Sequence, residues 1–169
     1  VVIAVGTRLQ DFTTGSWTTF RYDAKFININ TARFDAKKHF SNPIVGDALE
    51  CLEEFNLRLE GWVCDASRID EARKLYSDWN EAIDKGQAPT NASFPSYAQV
   101  IAVVNKHAKP TDTMVTAAGG LPGETIKNWR VKASNTFDCE FGFSCMGYEI
   151  AGAWGHAMAM NGDGVPIVL

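Results

Sequence analysis

MGYEIAGAWGHAMAMNGDGVPIVL, residues 146–169, is the stretch whose reading decides the fold. Gly147, Ala151, Gly152, Ala153, Gly155 and Ala157 are small, and Tyr148, Ile150 and Trp154 supply bulk. This pattern predicts a helix over Met146–Met160 that approaches a sheet closely. Asn161-Gly162-Asp163-Gly164 is made of turn formers. Val165–Leu169 is a short apolar run that reads as the next strand. Upstream, Thr113–Ala117 is a strand by the same criterion. The order strand, helix, strand implies a βαβ unit and a parallel sheet. The fold class expected is therefore α/β, parallel sheets with flanking helices.

Val1–Val5 reads as a buried parallel strand that ends at Gly6-Thr7. A polar loop, 11–17, follows. Phe26–Asn30 is a second strand and Ile44-Val45 a short third. Asp47 is the expected N-cap of a helix with Ala48, Leu49, Leu52, Phe55 and Leu59 on one face. Ile69, Ala72, Tyr76, Trp79 and Ile83 recur at three and four, which predicts one amphipathic helix whose aromatic residues are packing anchors. A loop follows at 86–93. Residues 61–96 are read as a linker between two α/β portions, 1–60 and 97–169. Ser96 is a candidate cap for a helix carrying Val100, Ile101, Val103 and Val104. Ala118-Gly119-Gly120-Leu121-Pro122-Gly123 reads as a loop that excludes helix, and 124–143 as irregular. Both ends fall within apolar strand patterns, which predicts a piece of a longer chain.

Hydrophobic residues make up 46% of the 169 residues, enough for a core, so disorder is not expected. Sixteen basic against 20 acidic residues give a net charge of −4, which disfavours an electrostatic nucleic-acid binder. Cys51, Cys64, Cys139 and Cys145 fit neither a Cys-x-x-Cys metal site nor a dense disulfide framework, so reduced thiols and a cytoplasmic setting are expected. Asn91-Ala92-Ser93 is a glycosylation sequon by pattern alone. No apolar run reaches membrane-spanning length.

The loop 118–123 follows a strand, at the end where open α/β sheets bind ligands. Its glycines free backbone N–H groups to approach an anion. It is neither a Walker loop nor Gly-x-Gly-x-x-Gly, so an anion cradle and a plain strand-exit turn both remain open. His39, His107 and His156 are far apart, no His/Cys/Glu cluster has metal-ligand spacing, and no Gly-x-Ser-x-Gly elbow is present. A structural role is expected for His107, near a helix end. Surface or helix-capping roles are expected for Asp138, Glu140 and Glu149.

Phe141–Gly155, FGFSCMGYEIAGAWG, resembles the Met-Gly helix segment of thiamine-diphosphate domains in acetolactate-synthase-like enzymes. Val5–Trp17, VGTRLQDFTTGSW, Ala117–Glu124, AAGGLPGE, and Lys127–Val131, KNWRV, narrow the resemblance to the 3D-(3,5/4)-trihydroxycyclohexane-1,2-dione hydrolase family of myo-inositol catabolism. These motifs occur in the family's order over most of the chain, least clearly over 61–95. The resemblance implies that 1–60 correspond to the second half of a middle α/β domain and 97–169 to the first part of the diphosphate-binding domain.

It further implies thiamine diphosphate and Mg2+ as cofactors of the full-length parent. Gly119, Gly120 and Leu121 match the loop that touches the diphosphate through backbone groups. Ser144 matches the position whose carbonyl accepts from the pyrimidine amino group. Met146 matches the bulky residue that forces the cofactor's bend. The implied reaction opens a cyclic dione by C–C cleavage and hydrolysis, giving a 5-deoxyglucuronate-type acid, with the cofactor as electron sink. The activating glutamate is expected in an N-terminal domain and from a partner subunit, so a homodimer is implied. Asp163 precedes its strand, whereas the metal aspartate of such enzymes follows one. It is therefore read as part of a turn, with the metal ligands and any catalytic side chain expected outside these residues. An acetolactate-synthase-like carboligase and a non-catalytic α/β nucleotide-binding or assembly module are the alternatives. The first shares the cofactor, and the second would need neither the upstream glutamate nor a downstream Gly-Asp-Gly.

Overall fold

Two three-stranded parallel sheets carry the fold. The computed structural model describes residues 1–169, which divide into units Val1–Cys64 and Asp65–Leu169. No helix is long and apolar enough to cross a membrane.

In the first unit β1 (Val2–Val5), β2 (Phe26–Ile29) and β3 (Asn42–Ile44) lie in that order, and every pairing is parallel. Phe26 and Ala4 pack with Leu9 in the core, where Trp17 meets Phe26 edge-on at 5.3 Å. The strand β1 is less buried than its apolar run suggests: Ala4 points inward, while Ile3 and Val5 are exposed. The reason is that β1 is an edge strand here and pairs only with β2, so one face of the run has no layer on it in this unit. The stretch expected as loop at 11–17 begins with a short helix, α1 (Asp11–Thr14), closed by Gly15 at φ 55°. Buried Thr14 supports it by donating its hydroxyl to the Gln10 carbonyl. A second short helix, α2 (Arg33–Ala36), precedes β3. Asp47 caps α3 (Ala48–Arg58) as expected, accepting from the N–H groups of Leu49 and Glu50.

The second unit opens with the long helix α4 (Ala66–Gln87), which packs on α5 (Tyr97–His107). Ser96 and Gln99 form a capping box at the start of α5. Strand β4 (Thr113–Thr116) is buried at all four residues and sits between β5 (Phe137–Cys139) and β6 (Pro166–Val168). The chain thus leaves β4 for a neighbour on one side and returns to a neighbour on the other. That reversal is a topological switch point, where a ligand crevice opens at the carboxyl ends of parallel strands.

Two expectations for 118–143 are corrected. The glycine-rich stretch is a loop only as far as Gly119; helix α6 (Gly120–Asn128) begins inside it. Pro122 is tolerated because first-turn N–H groups have no intrahelical partner to lose. The region expected to be irregular contains the rest of α6 and β5. The last helix, α7 (Tyr148–Met160), starts two residues later than expected, and the turn into β6 falls where the sequence put it. Gly152 explains the small-residue pattern best: a Cβ there would lie 3.3 Å from Val115 of β4 and 2.9 Å from the Tyr148 ring. Ile150 and Trp154, by contrast, are exposed.

Buried Asp112 pins the entry to β4. One carboxylate oxygen accepts from the Lys109 N–H at 2.7 Å and the other from the Val165 N–H at 3.1 Å. The Lys109 amide first, then the Val165 amide and the charges of Lys109 and Lys132, outweigh burial and hold this carboxyl below its usual range. A depressed value stabilises the fold above the unfolded-state value near about 4, and that contribution fades as pH drops through the folded-state value. Asp112→Asn, with a single acceptor oxygen, is expected to lower stability by about 1–3 kcal/mol at pH 7. The gap to wild type should shrink at pH 3. Urea unfolding at the two pH values checks this; an unchanging gap would mean that ionisation is irrelevant.

Candidate cofactor-binding site

Loops that follow β4 and β5 meet at the carboxyl edge of the second sheet, because the two strands are paired and parallel. Ala117 is buried at the end of β4 and Ala118 partly so; Gly119 and Gly120 then reach the surface. Gly119 is the N-cap of α6, at φ 140°, a conformation that favours glycine. No side chain caps this helix end. Pro122 has no N–H, so the first turn presents the amides of Gly120 and Leu121. A helix start with uncapped amides and a positive dipole end suits an anion.

Beyond β5, Glu140 continues the ladder by donating its N–H to Thr116. The loop 141–146 is then shaped by hydrogen bonds. Ser144 lies at φ 54° and donates its N–H to Phe141; its own carbonyl accepts from the Met146 N–H at 3.0 Å. A carbonyl has two lone pairs, so one remains for a further donor. Both Glu140 carboxylate oxygens accept from this loop, one from Phe143 N–H and one from Cys145 N–H, each at 2.9 Å. Met146 projects with 79% of its surface exposed. Beside Glu140, the Cys145 thiol is pushed above its ordinary value, which disfavours thiolate chemistry there. Burial does the same to Cys139.

Glu149 fulfils the capping role expected of it, accepting from the Gly147 N–H at the start of α7. Asp138 does not; it is the centre of a side-chain cluster. Its Oδ2 accepts from the Tyr148 hydroxyl at 2.7 Å and lies 3.0 Å from His156 Nε2. The bond to Asp138, followed by burial, raises the Tyr148 phenol above its usual value. Tyr148 and His156 are eight residues apart, two turns along one face of α7, so the strand carboxylate can engage both. That spacing was the available signal for the cluster.

The remaining residues lie elsewhere. Asp163 sits in the turn between α7 and β6, with its N–H on the Met160 carbonyl. Because β6 runs parallel to β4, with Thr113 opposite Pro166, Asp163 is at the edge opposite Gly119. His107 ends α5, and His39 belongs to the first unit, against Trp17. No group of three or more His, Cys, Asp or Glu side chains is placed to hold a metal.

No family model matches the chain. Curated relatives match almost all of it. The 3D-(3,5/4)-trihydroxycyclohexane-1,2-dione hydrolase of Clostridium botulinum (strain Alaska E43 / Type E3) is 34% identical over 94% of this chain and 28% of its own length. A protein of the same name from Listeria monocytogenes serovar 1/2a is 31% identical over the same shares. Another, from Clostridium perfringens (strain 13 / Type A), is 30% identical over 100% of this chain and 32% of its own. The chain therefore spans under a third of the length of these relatives.

Proposed function

We propose, taking this similarity as the premise, that the chain supplies part of a thiamine-diphosphate-dependent trihydroxycyclohexanedione hydrolase. The enzyme would open the cyclic dione by C–C cleavage to 5-deoxyglucuronate, in myo-inositol catabolism in the cytoplasm. One observation carries the reading: an uncapped helix start after β4 and the Ser144–Met146 loop after β5 share one edge of a parallel sheet, at its switch point. On this reading residues 1–60 derive from the middle domain and 97–169 from the diphosphate-binding domain, joined through 61–96. The magnesium ligands and the activating glutamate come from parts of the relatives that this chain does not span, the glutamate from the partner subunit of a homodimer.

The residues fit the group. Gly119 leaves the α6 start bare, and a Cβ placed at Gly120 would meet only the Tyr97 ring, at 3.7 Å. The amides of Gly120 and Leu121 would receive diphosphate oxygens, Ser144 would offer its second carbonyl lone pair to the pyrimidine amino group, and Met146 would supply bulk beneath the thiazolium. When bound, thiamine diphosphate supplies the electron sink for C–C cleavage. The chain's own work is to bind, orient and exclude water.

Calorimetric titration of magnesium and thiamine diphosphate into the full-length protein tests this. Gly120→Val should weaken binding at least tenfold, about 1.4 kcal/mol, while Asp163→Ala leaves it within twofold. Binding lost on Asp163→Ala and retained in Gly120→Val would overturn the assignment. Product analysis with the cyclic dione separates ring opening from carboligation.

A further inference from the structure

We infer that Glu140 is the positioning residue of the Ser144–Met146 platform, its carboxylate serving as the template around which the loop folds. This rests on the functional reading above. The Glu140 backbone is fixed first: its N–H is bonded to Thr116, the fully buried last residue of the central strand β4. From that anchor the side chain turns forward into its own loop, and the two oxygens take the N–H groups of residues three and five positions on. Between them lies Ser144, held at φ 54°, in the left-handed region that a side-chain-bearing residue occupies only when its surroundings impose it. With Phe143 and Cys145 clamped on either side, Ser144 is turned so that its carbonyl accepts from Met146. One side chain thus sets the direction of both groups assigned to the cofactor.

Charge matters as well as shape. A carboxylate accepts at both oxygens, and amide bonds to an ionised acceptor are about twice as strong as neutral ones. Glutamine is nearly the same size but presents an NH2 to one of the two amides, so that contact becomes donor against donor. Aspartate keeps the charge on a stem one methylene shorter. Touching no substrate in this assignment, Glu140 acts through Ser144 and Met146.

The test uses the full-length enzyme. Amide hydrogen exchange without cofactor should show faster exchange across 141–147 in Glu140→Gln, with exchange in β4 unaltered. With magnesium and thiamine diphosphate at saturation, kcat should fall about tenfold while KM for the cyclic dione stays within threefold. Glu140→Asp should recover part of both losses, and it carries the test alone if Glu140→Gln does not fold. Unaltered exchange across 141–147 in a folded variant overturns the positioning role. Faster exchange with unchanged kcat and cofactor binding overturns it too, and shows that 141–146 is not the cofactor platform. Loss of cofactor binding in Gly120→Val together with wild-type behaviour of Glu140→Gln would leave the site standing without its template.

Discussion

Met146→Ala is expected to lower turnover of the full-length protein about a hundredfold and to leave its stability nearly unchanged. The two halves of this expectation have separate causes. Truncating a core methionine usually costs about 2–5 kcal/mol, because a cavity is left. Met146 fills no cavity within this unit; it is 79% exposed on a loop whose shape comes from Glu140 and Ser144. Its removal therefore falls in the class of surface changes within about 0.5 kcal/mol. Turnover is different, because a misplacement of about 1 Å in a reacting geometry costs on the order of 100-fold. Met146→Leu keeps most of the bulk and should recover most of the rate. Steady-state kinetics and thermal unfolding of both variants decide the matter. Unchanged turnover in folded Met146→Ala would remove this residue from the site.

Gly164→Ala is expected to be the most destabilising single methyl addition in the second unit, at about 3 kcal/mol, the upper end of what overpacking costs. A Cβ at this position would lie 2.2 Å from the Thr111 carbonyl oxygen and 2.7 Å from the Met160 methyl. The methionine can swing aside, but the carbonyl cannot. Thr111 precedes Asp112, which is tied to Lys109 and Val165, and Thr113 donates to the Val165 carbonyl. Moving Thr111 would pull on both strands at once. Gly155→Ala is the control: its Cβ would meet nothing within 4 Å, and alanine favours a helix interior over glycine by about 1 kcal/mol. Denaturant midpoints should therefore move in opposite directions. Equal midpoints for Gly164→Ala and wild type would show that the turn relaxes freely.

What the sequence made legible follows from how local each signal is. Parallel sheets flanked by helices could be read from the strand runs and the helical periodicity, and the Asp47 cap and the turn at 161–164 from residue type alone. The start of α6 could not. Gly-Gly-Leu-Pro-Gly has the composition of a loop, and only the position of Pro122 within a first turn makes helix permissible. Strand β5 is three residues long with Asp138 in its middle, so no apolar run marked it. The Glu140 contacts leave no mark in the sequence for a related reason. A carboxylate wrapped by its own loop leaves no periodicity, and its partners are backbone amides, which every residue except proline carries. On β1 the converse holds: an apolar run does not bring burial on both faces when the strand lies at the sheet edge.

The placement of β4 between β5 and β6 also bears on how the second unit forms. The central strand gains its β5 partner across the α6 crossover, but the Thr116 hydroxyl and the Leu169 carbonyl are 53 residues apart in sequence. Closing a loop of that length costs entropy before any ladder bond repays it. High contact order slows folding. During synthesis β4, the most buried strand of the molecule, must wait with one edge unpaired until α7 and β6 have emerged. An unpaired strand edge is the kind of surface that recruits a second chain. Refolding yield of this unit should therefore fall with protein concentration, with the loss set by the arrival of β6 and not by the helices.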